Sequence, residues 1–485
     1  MPAVRPSFFV QLTRLVGVSG HEARSDVPNS AIGSRPFASS SLSEAGGRRG
    51  TMSNQASAEI KIGRWLVGRP SSTTLLYAAR AARGFGDGFA VIILPAYLTE
   101  LGFNPFQVGI VATSALFGTA VMTLAVGYFA SRFDLRNLLL VSAFTMIATG
   151  VVFSNVEYFP LVVIVAFLGT ANPSTGDIGI FVPLEHAMLA RDAVDHGRTQ
   201  VFARYSLIGG LSAAAGALIA TTPDLLVALG VGRIGALQLM FYVYAALGSL
   251  GAVLYRLLPH ERRPDVPRQQ SSALGSSRGI VYRLAALFSV DAFAGGFAVQ
   301  SLVALWLFER FDLSLTAASV FFFWSNTLAA FSYPVAARLS KRIGLVNTMV
   351  FTHIPSSICL ILAAFLPNLT GVLVLLLIRA ALSQMDVPTR TSYVMAVVTP
   401  AERPAAASVT AVPRSLASSI SPMLAGAMFA TVFSGLPLVI CGGLKIAYDV
   451  ALLLSFRHMK PPEERDTRAE AVRTNAQECA DGAER

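Results

Sequence analysis

The chain has 485 residues, of which 53% are hydrophobic and only 14% are charged, and its mean hydropathy is +0.58. Soluble domains carry about 25% charged residues, so this composition excludes a soluble globular protein and indicates a helical protein that crosses a membrane many times. The net charge of +10 does not indicate nucleic-acid binding, because the arginines lie mostly in loops between apolar runs, where they set membrane topology.

The N-terminal segment, residues 1–72, is poor in acidic residues and rich in Ser, Gly, Ala and Arg. Two interpretations fit this composition: an organellar targeting peptide, or an upstream extension of the reading frame with Met52 as the true start. We favour the second. With either, we expect the segment to be disordered and its first 51 residues to be dispensable for folding and activity.

Twelve apolar stretches follow, and each is close to the roughly 20 residues that a bilayer core requires. Loops after even-numbered stretches, with the helix ends beside them, carry fourteen Arg and Lys residues, whereas loops after odd-numbered stretches carry two. The positive-inside rule therefore places both termini in the cytoplasm. The predicted spans are approximately 75–99, 106–130, 138–156, 159–184, 201–221, 236–258, 282–308, 315–338, 346–366, 371–397, 404–433 and 436–457.

An internal repeat relates the two parts of the chain. Gly88-Phe-Ala-Val recurs as Gly296-Phe-Ala-Val, at an offset of 208 (296 − 88), and three further echoes recur at offsets of 209 or 210. Parallel repeats are typical of one class of secondary transporter. We therefore predict an all-α membrane protein with twelve transmembrane helices in two pseudo-symmetric six-helix halves. The halves are placed at 73–258 and 281–458, with a cytoplasmic linker at 259–280 and a cytoplasmic tail at 459–485.

Asp87 lies in the middle of the first predicted span, in the sequence Arg83-Gly-Phe-Gly-Asp87-Gly. An ionisable residue at that depth costs about 2.5–3.5 kcal/mol on insertion scales, so it normally faces the bundle interior or a water-filled path. A structural alternative stays open, because Arg83 is four residues earlier on the same helix face and could pair with Asp87. The same spacing relates Asp386 to Arg390, and Lys445 to Asp449.

The loop after the second span carries a motif in which Gly127, Arg132 and Arg136 are spaced as in Gly-x-x-x-Asp-Arg-x-Gly-Arg-Arg. That motif is the best known of the major facilitator superfamily, which this chain resembles over about 73–458. Ser131 stands where the family has aspartate, and Asp134 stands where glycine is usual. The overall pattern is similar to bacterial efflux-type members.

The resemblance implies that this loop is a gating latch, and the second half keeps Arg342 and Gly344 of the same motif. It also implies that helices 1, 4, 7 and 10 line a central cavity. Each of these four helices carries one aspartate, namely Asp87, Asp177, Asp291 and Asp386. Carboxylates held away from water can exchange a proton near neutral pH and couple that exchange to transport.

Several basic residues are candidate partners of these aspartates. Arg379 lies deep within helix 10 and could bind an anionic group or pair with a cavity aspartate. Arg204 and Arg414 begin helices 5 and 11, where they either contact Asp177 and Asp386 or simply flank the membrane. His353, in helix 9, is expected to be a packing histidine.

The sequence favours a secondary transporter that works by alternating access, with proton-coupled efflux of small organic molecules or drugs as the first hypothesis. An importer or facilitator of a polar metabolite is the second, and would require several polar residues on the cavity helices, of which only Gln300, Asn326, Gln384 and Trp324 are obvious. An enzyme or receptor is a remote third, because catalysis would require a recognisable cluster such as His-Glu-x-x-His or a Gly-x-Ser-x-Gly elbow, and His186, His196 and His353 form no such spacing.

The expected partners are a small-molecule substrate, protons and the lipid bilayer, with no nucleic acid, cofactor or metal. We expect a monomer in a bacterial inner membrane.

Overall fold

The structure is a computed structural model that describes residues 71–129, 133–174, 179–192, 198–259, 275, 277–399, 402–429, 431 and 433–456. The predicted N-terminal extension, most of the linker and the C-terminal tail lie outside these residues. Sixteen helices form within the described ranges: α1 (Ser72–Glu100), α2 (Pro105–Phe129), α3 (Leu135–Phe153), α4 (Phe159–Leu168), α5 (Phe181–Asp192), α6 (Arg198–Ile219), α7 (Thr222–Ala228), α8 (Arg233–Arg256), α9 (Arg278–Gly296), α10 (Gln300–Phe311), α11 (Leu315–Ile343), α12 (Leu345–Phe365), α13 (Leu369–Ser383), α14 (Asp386–Ala396), α15 (Arg403–Phe429) and α16 (Leu436–Phe456).

These helices make twelve crossings, as predicted, because three crossings are each divided into two helices and α7 is a short surface helix. Within the described ranges, nine segments are long and apolar enough to cross a membrane on length and composition alone. The other three crossings do not meet this length and composition. The first, α1, carries Arg80, Arg83 and Asp87, and the eleventh, α15, is rich in Ser and Pro. The fourth is divided between the short helices α4 and α5.

The three divided crossings are the fourth (α4 and α5), the seventh (α9 and α10) and the tenth (α13 and α14). Pro173 lies in the break of the fourth, where a residue without an N–H cannot continue a helical ladder. The break of the seventh crossing lies at Phe297–Val299 and was not predicted. The Ser301 N–H, just beyond it, donates to the Pro173 carbonyl at 3.0 Å, so the two breaks meet across the halves.

The internal repeat corresponds to repeated packing. A Cβ atom at Gly88 would overlap the Ala213 backbone of α6, and a Cβ atom at Gly296 would lie 2.6 Å from the Ser418 carbonyl oxygen of α15. The repeated glycine therefore brings the first helix of each half against the fifth helix of the same half. This equivalence confirms the duplication that the sequence predicted.

The two halves contact each other through α2 with α15, α6 with α11, and α1 with α10. A Cβ atom at Gly109 would lie 2.6 Å from the Pro422 carbonyl oxygen, and the Thr113 hydroxyl accepts a hydrogen bond from the Met423 N–H at 2.9 Å. The Asp224 carboxylate accepts from the backbone N–H of Thr316 at 3.2 Å. These contacts lie toward the end of the bundle that carries the loops after odd-numbered crossings, which we call the odd-loop end.

All described residues belong to one compact unit, Val67–Arg485. The second unit, Met1–Leu66, lies outside the described residues. Large apolar side chains cover the outside of the bundle, for example Phe144 and Phe351, which are each 61% exposed. An exposed apolar surface of this kind is what lipid requires.

Candidate functional site

A cavity lies between the two halves, with α1 and α6 on one side and α10, α11 and the break of the tenth crossing on the other. Its empty volume is about 530 Å³, which includes space open to solvent. Six of its thirteen lining residues are Gly or Ala, which have little or no side chain, so most of the side-chain atoms that face the cavity belong to the seven polar residues. The polar lining residues are Arg80, Asp87, Ser206, Gln300, Asn326, Tyr333 and Gln384.

Asp87 is one of the residues that line this cavity. Its Oδ1 atom accepts a hydrogen bond from the Tyr244 hydroxyl at 3.4 Å, which is long for a bond between two oxygens. A second, smaller cavity of about 360 Å³ shares Asp87 and Arg80 with the first. Asp87 therefore lies where two cavities meet.

Arg83 does not bond to Asp87, although the two are one helical turn apart. Its guanidinium donates to the Glu185 carboxylate of α5 at 2.8 Å and to the Tyr205 hydroxyl at 2.9 Å. Tyr205 and Tyr255 also donate to Glu185, the latter at 2.6 Å, and Glu185 is completely buried. This cluster joins α1, α5, α6 and α8 and satisfies both charges by direct hydrogen bonds, as buried charges require.

The second half contains a larger buried network centred on Asp291 of α9. The Asp291 carboxylate accepts from Arg390 of α14 at 2.9 Å and from Lys445 of α16 at 2.8 Å. Arg390 also pairs with Asp386 at 3.1 Å, so the predicted pair of Asp386 with Arg390 is present. Asp291 and Asp386 are both buried and bonded to cations.

His353 extends the network to Asp449. Its Nδ1 atom is 3.1 Å from each Asp449 carboxylate oxygen, and its Nε2 atom is 3.1 Å from the Lys445 ammonium. Because Lys445 can only donate, Nε2 is the acceptor of that contact and Nδ1 carries the proton toward Asp449. The expected packing histidine is thus satisfied, but by charged groups.

The networks of the two halves occupy related positions with the signs of charge reversed. Arg83 and Asp291 are 208 residues apart (291 − 83), the offset of the internal repeat. In the first half the cation is on helix 1 and the carboxylate, Glu185, is on the second segment of helix 4. In the second half the carboxylate is on helix 7 and the cation, Arg390, is on the second segment of helix 10.

The remaining candidate partners lie elsewhere. Arg379 is half-buried beside Cys359 and Cys441 and is not among the described residues that line the central cavity. Arg204 is exposed, whereas Arg414 is half-buried and interacts electrostatically with Arg390 and Asp291. Asp177, the aspartate of the fourth crossing, lies outside the described residues.

The predicted gating loop is described only in part. Arg132 lies outside the described residues, and Gly127 is in the last turn of α2. The Asp134 side chain caps α3 by accepting from the Arg136 N–H at 3.0 Å, and the Arg136 guanidinium donates to the Arg256 carbonyl at 2.6 Å. Asp134 thus has a structural role at the position where the family has glycine.

In the corresponding loop of the second half, Arg342 is exposed. Gly344 ends α11 with φ +90°, a conformation that favours glycine.

Sequence reasoning missed Glu185 altogether, and it treated Lys445 with Asp449 as a local pair. The available signal was a charged residue in an otherwise apolar stretch, Phe181-Val-Pro-Leu-Glu185 for α5 and Leu-Lys445-Ile for α16. An ionisable residue in such a setting is a functional candidate with a partner to be named. The partners were on other helices and could not be named from spacing.

Two six-helix halves around a polar cavity define a membrane transporter. The model of the Major Facilitator Superfamily matches residues 76–383 and 284–480, and the chain belongs to that family. An uncharacterized membrane protein of Saccharomyces cerevisiae is 23% identical over 79% of this chain and 93% of its own length. The multidrug efflux protein YfmO of Bacillus subtilis is 22% identical over 81% of this chain and 95% of its own length.

Solved structures share the fold at low identity. The D-xylose-proton symporter has a TM-score of 0.62 at 16% identity, over 78% of this chain and 96% of that chain. A bacterial homologue of the human lysosomal transporter Spinster, in an inward-facing conformation, has a TM-score of 0.58 at 16% identity, over 80% of this chain and 95% of that chain. The family and these neighbours make the chain a transporter and not an enzyme.

Proposed function

We propose that the protein is a secondary active transporter that moves a small organic molecule through the central cavity by alternating access, with the proton as coupling ion and Asp87 as the proton-binding group. One observation carries this proposal. Among the described residues, the buried carboxylates Glu185, Asp291 and Asp386 are each bonded to a cation. Asp449 is buried against His353 and is not among the described residues that line the cavity. Asp87 is half-buried, faces the cavity and accepts its hydrogen bond from a tyrosine.

A carboxylate in this position can alternate between two charge states at the place where solute passes. When Asp87 is ionised, the cavity contains a negative charge that must stay hydrated or meet a cation. When Asp87 binds a proton, that charge disappears, and closing the cavity no longer requires the removal of water from a carboxylate. Proton binding would thereby favour the closure that alternating access needs.

The contacts between the halves support one particular orientation of the cycle. They lie toward the odd-loop end, and the distribution of Arg and Lys favours the opposite end as the cytoplasmic one. The structure would then correspond to the conformation that is closed toward the outside.

Efflux is the direction that we propose, supported by the similarity to the multidrug efflux protein of Bacillus subtilis over nearly its full length. Import of a polar metabolite is the second candidate, and the specific observation that favours it is the placement of Gln300, Asn326 and Gln384 on the cavity wall.

The test uses proteoliposomes with an imposed pH gradient and a solute identified by a susceptibility screen in a pump-deficient host. We expect Asp87→Asn to abolish uphill transport but to keep downhill exchange, because the amide mimics the protonated carboxyl. Asp312→Asn, at an exposed residue, is the matched control and should transport normally. Uphill transport by Asp87→Asn at the wild-type rate would refute the role of Asp87.

A further inference from the structure

The lining of the central cavity has a chemistry unlike that of the rest of the chain. The whole sequence is 53% hydrophobic, but each described residue of the cavity wall is polar, Gly or Ala. Sites for lipophilic ligands are lined mainly by aliphatic and aromatic side chains with a few polar groups. The described wall of the central cavity instead consists of polar side chains, Gly and Ala, with no larger aliphatic side chain among its lining residues.

Several aromatic residues of the cavity helices pack away from the central cavity, and the apolar residues Ile180, Phe181 and Val182 line only the smaller cavity. Phe89 contacts Phe85 and Tyr244 within the first half, and Phe293 contacts Phe297 within the second. Trp324, which the sequence offered as a cavity residue, is 50% exposed on the outside of the bundle. Tyr333 is the one aromatic residue among the described lining residues, and it brings a hydroxyl group.

Hydrogen-bonding groups face the cavity from both halves. On the second half, the Gln300 amide donates to the Asn326 amide oxygen at 3.0 Å, and Gln384 lines the same wall. Each carboxamide offers two N–H donors and an acceptor oxygen, so it can bond to a neighbour and to a solute at the same time. Groups that both donate and accept are matched to hydroxyl, amide and heterocyclic nitrogen groups.

The wall carries one cation and one carboxylate. Arg80 and Asp87 both belong to α1 and both line the cavity, so the formal charge that they present is zero while Asp87 is ionised and +1 once Asp87 has bound a proton. A cationic solute would be repelled by Arg80 in both states, and an anionic solute would be repelled by the ionised Asp87. A lipophilic solute would remove water from these ions and from three carboxamides without replacing the lost hydrogen bonds, which is costly.

We infer that the cavity binds a small solute rich in hydroxyl or amide groups and neutral or zwitterionic overall, in preference to a lipophilic cation. This inference rests on the proposed function in taking the central cavity as the transport site. It narrows the expectation from sequence, small organic molecules or drugs, to polar solutes, because the polar candidates Gln300, Asn326 and Gln384 line the cavity.

The test measures ligand binding without a pH gradient. Thermal unfolding of the purified full chain, with Cys479→Ser, is followed by a thiol-reactive fluorophore that labels Cys359 and Cys441 as they become exposed; Cys441 is buried in the folded protein. The probes are uridine, D-xylose and glycylglycine at about 10 mM, and tetraphenylphosphonium, because a ligand that binds only the folded state raises the midpoint.

We expect at least one of the three polar probes to raise the midpoint and tetraphenylphosphonium to leave it unchanged. Gln300→Ala and Asn326→Ala should each weaken the binding of that polar probe about tenfold, the loss that one hydrogen bond of ordinary strength gives. Asn155→Ala removes an exposed carboxamide and should bind like the wild type.

Three results would overturn the inference: stabilisation by tetraphenylphosphonium alone, stabilisation by none of the polar probes, or stabilisation that neither cavity substitution weakens. Failure of the proposed function looks different. A polar probe that binds normally, but whose transport neither moves protons nor depends on Asp87, would remove the coupling mechanism and leave the substrate class in place.

Discussion

Asp291→Asn removes the charge at the centre of the buried network of the second half. The wild-type carboxylate accepts from Arg390 at 2.9 Å and Lys445 at 2.8 Å, and it is 4% exposed. The amide keeps the shape of the side chain but leaves two cations close together without their shared anion. Breaking one buried pair costs about 3–5 kcal/mol because it leaves an uncompensated charge, so we expect a loss of stability in that range.

A double-mutant cycle with Lys445→Met separates this explanation from general damage. The double variant loses one carboxylate and one ammonium, so the network returns to its wild-type net charge and part of the stability should return. We expect the two single losses to exceed the loss of the double variant by about 0.5–3 kcal/mol, the usual range for residues in contact. Simple additivity of the two substitutions would contradict the reasoning.

The assay is reversible unfolding of the purified protein in mixed micelles of increasing denaturing-detergent content, followed by tryptophan fluorescence. Asp312→Asn is the control, because Asp312 is an exposed residue that ends α10 in a left-handed conformation, which asparagine also adopts readily. A stability for Asp291→Asn within about 1 kcal/mol of this control would show that the network is hydrated rather than buried, since exposed ion pairs contribute no more than that.

Two further predictions concern contacts away from the site. Gly109→Ala places a Cβ atom 2.6 Å from the Pro422 carbonyl oxygen and should slow transport by separating α2 from α15, whereas Gly235→Ala, which meets open space, should transport normally; equal rates would refute a tight contact. The Glu402 carboxylate accepts hydrogen bonds from Ser277 and the Gly275 N–H, which hold its pKa below its usual value. Protection of the Gly275 amide from hydrogen exchange should therefore be full above the usual glutamate pKa of about 4.3 and decline as the pH falls through the lower folded-state pKa. Glu402→Gln should remove this pH dependence, and an unchanged profile would contradict it.

The sequence predicted the fold well because membrane spans are encoded locally, in the apolar length of each stretch. The orientation of the bundle stays a prediction from the charge of the loops. The prediction failed locally at the seventh crossing, which is divided at Phe297–Val299 although it contains no proline. The available local signal was the pair Gly295-Gly296 directly before the break, which the prediction did not use. Contacts made by the folded bundle, such as the hydrogen bond from Ser301 to Pro173, also stabilise the break.

The candidate site was only partly predictable, because its pairs join helices that are far apart in the chain. Spacing of four residues predicted the pair of Asp386 with Arg390, which is present. The same spacing also predicted a possible pair of Arg83 with Asp87. Arg83 instead pairs with the completely buried Glu185, which is 102 residues away in the sequence. A charged side chain pairs with a neighbour on its own helix only when no acceptor on another helix is better placed. The acceptors on other helices are known only from the tertiary structure.

The charge networks show what the internal repeat preserves. The offset of 208 that relates Gly88 to Gly296 also relates Arg83 to Asp291, yet the first pair keeps its residue type and the second reverses its charge. The glycines are constrained by backbone contact with the fifth helix of each half, which permits no side chain. The charged positions are constrained only to form a buried pair with the second segment of helix 4 or 10, and either sign satisfies that requirement when the partner is opposite. A search for repeated residues therefore finds the glycines and misses the ion pairs. The duplication keeps the position of the buried charge on helices 1 and 7 but not its sign, and the partners Glu185 and Arg390, which are 205 residues apart (390 − 185), share only the helix segment.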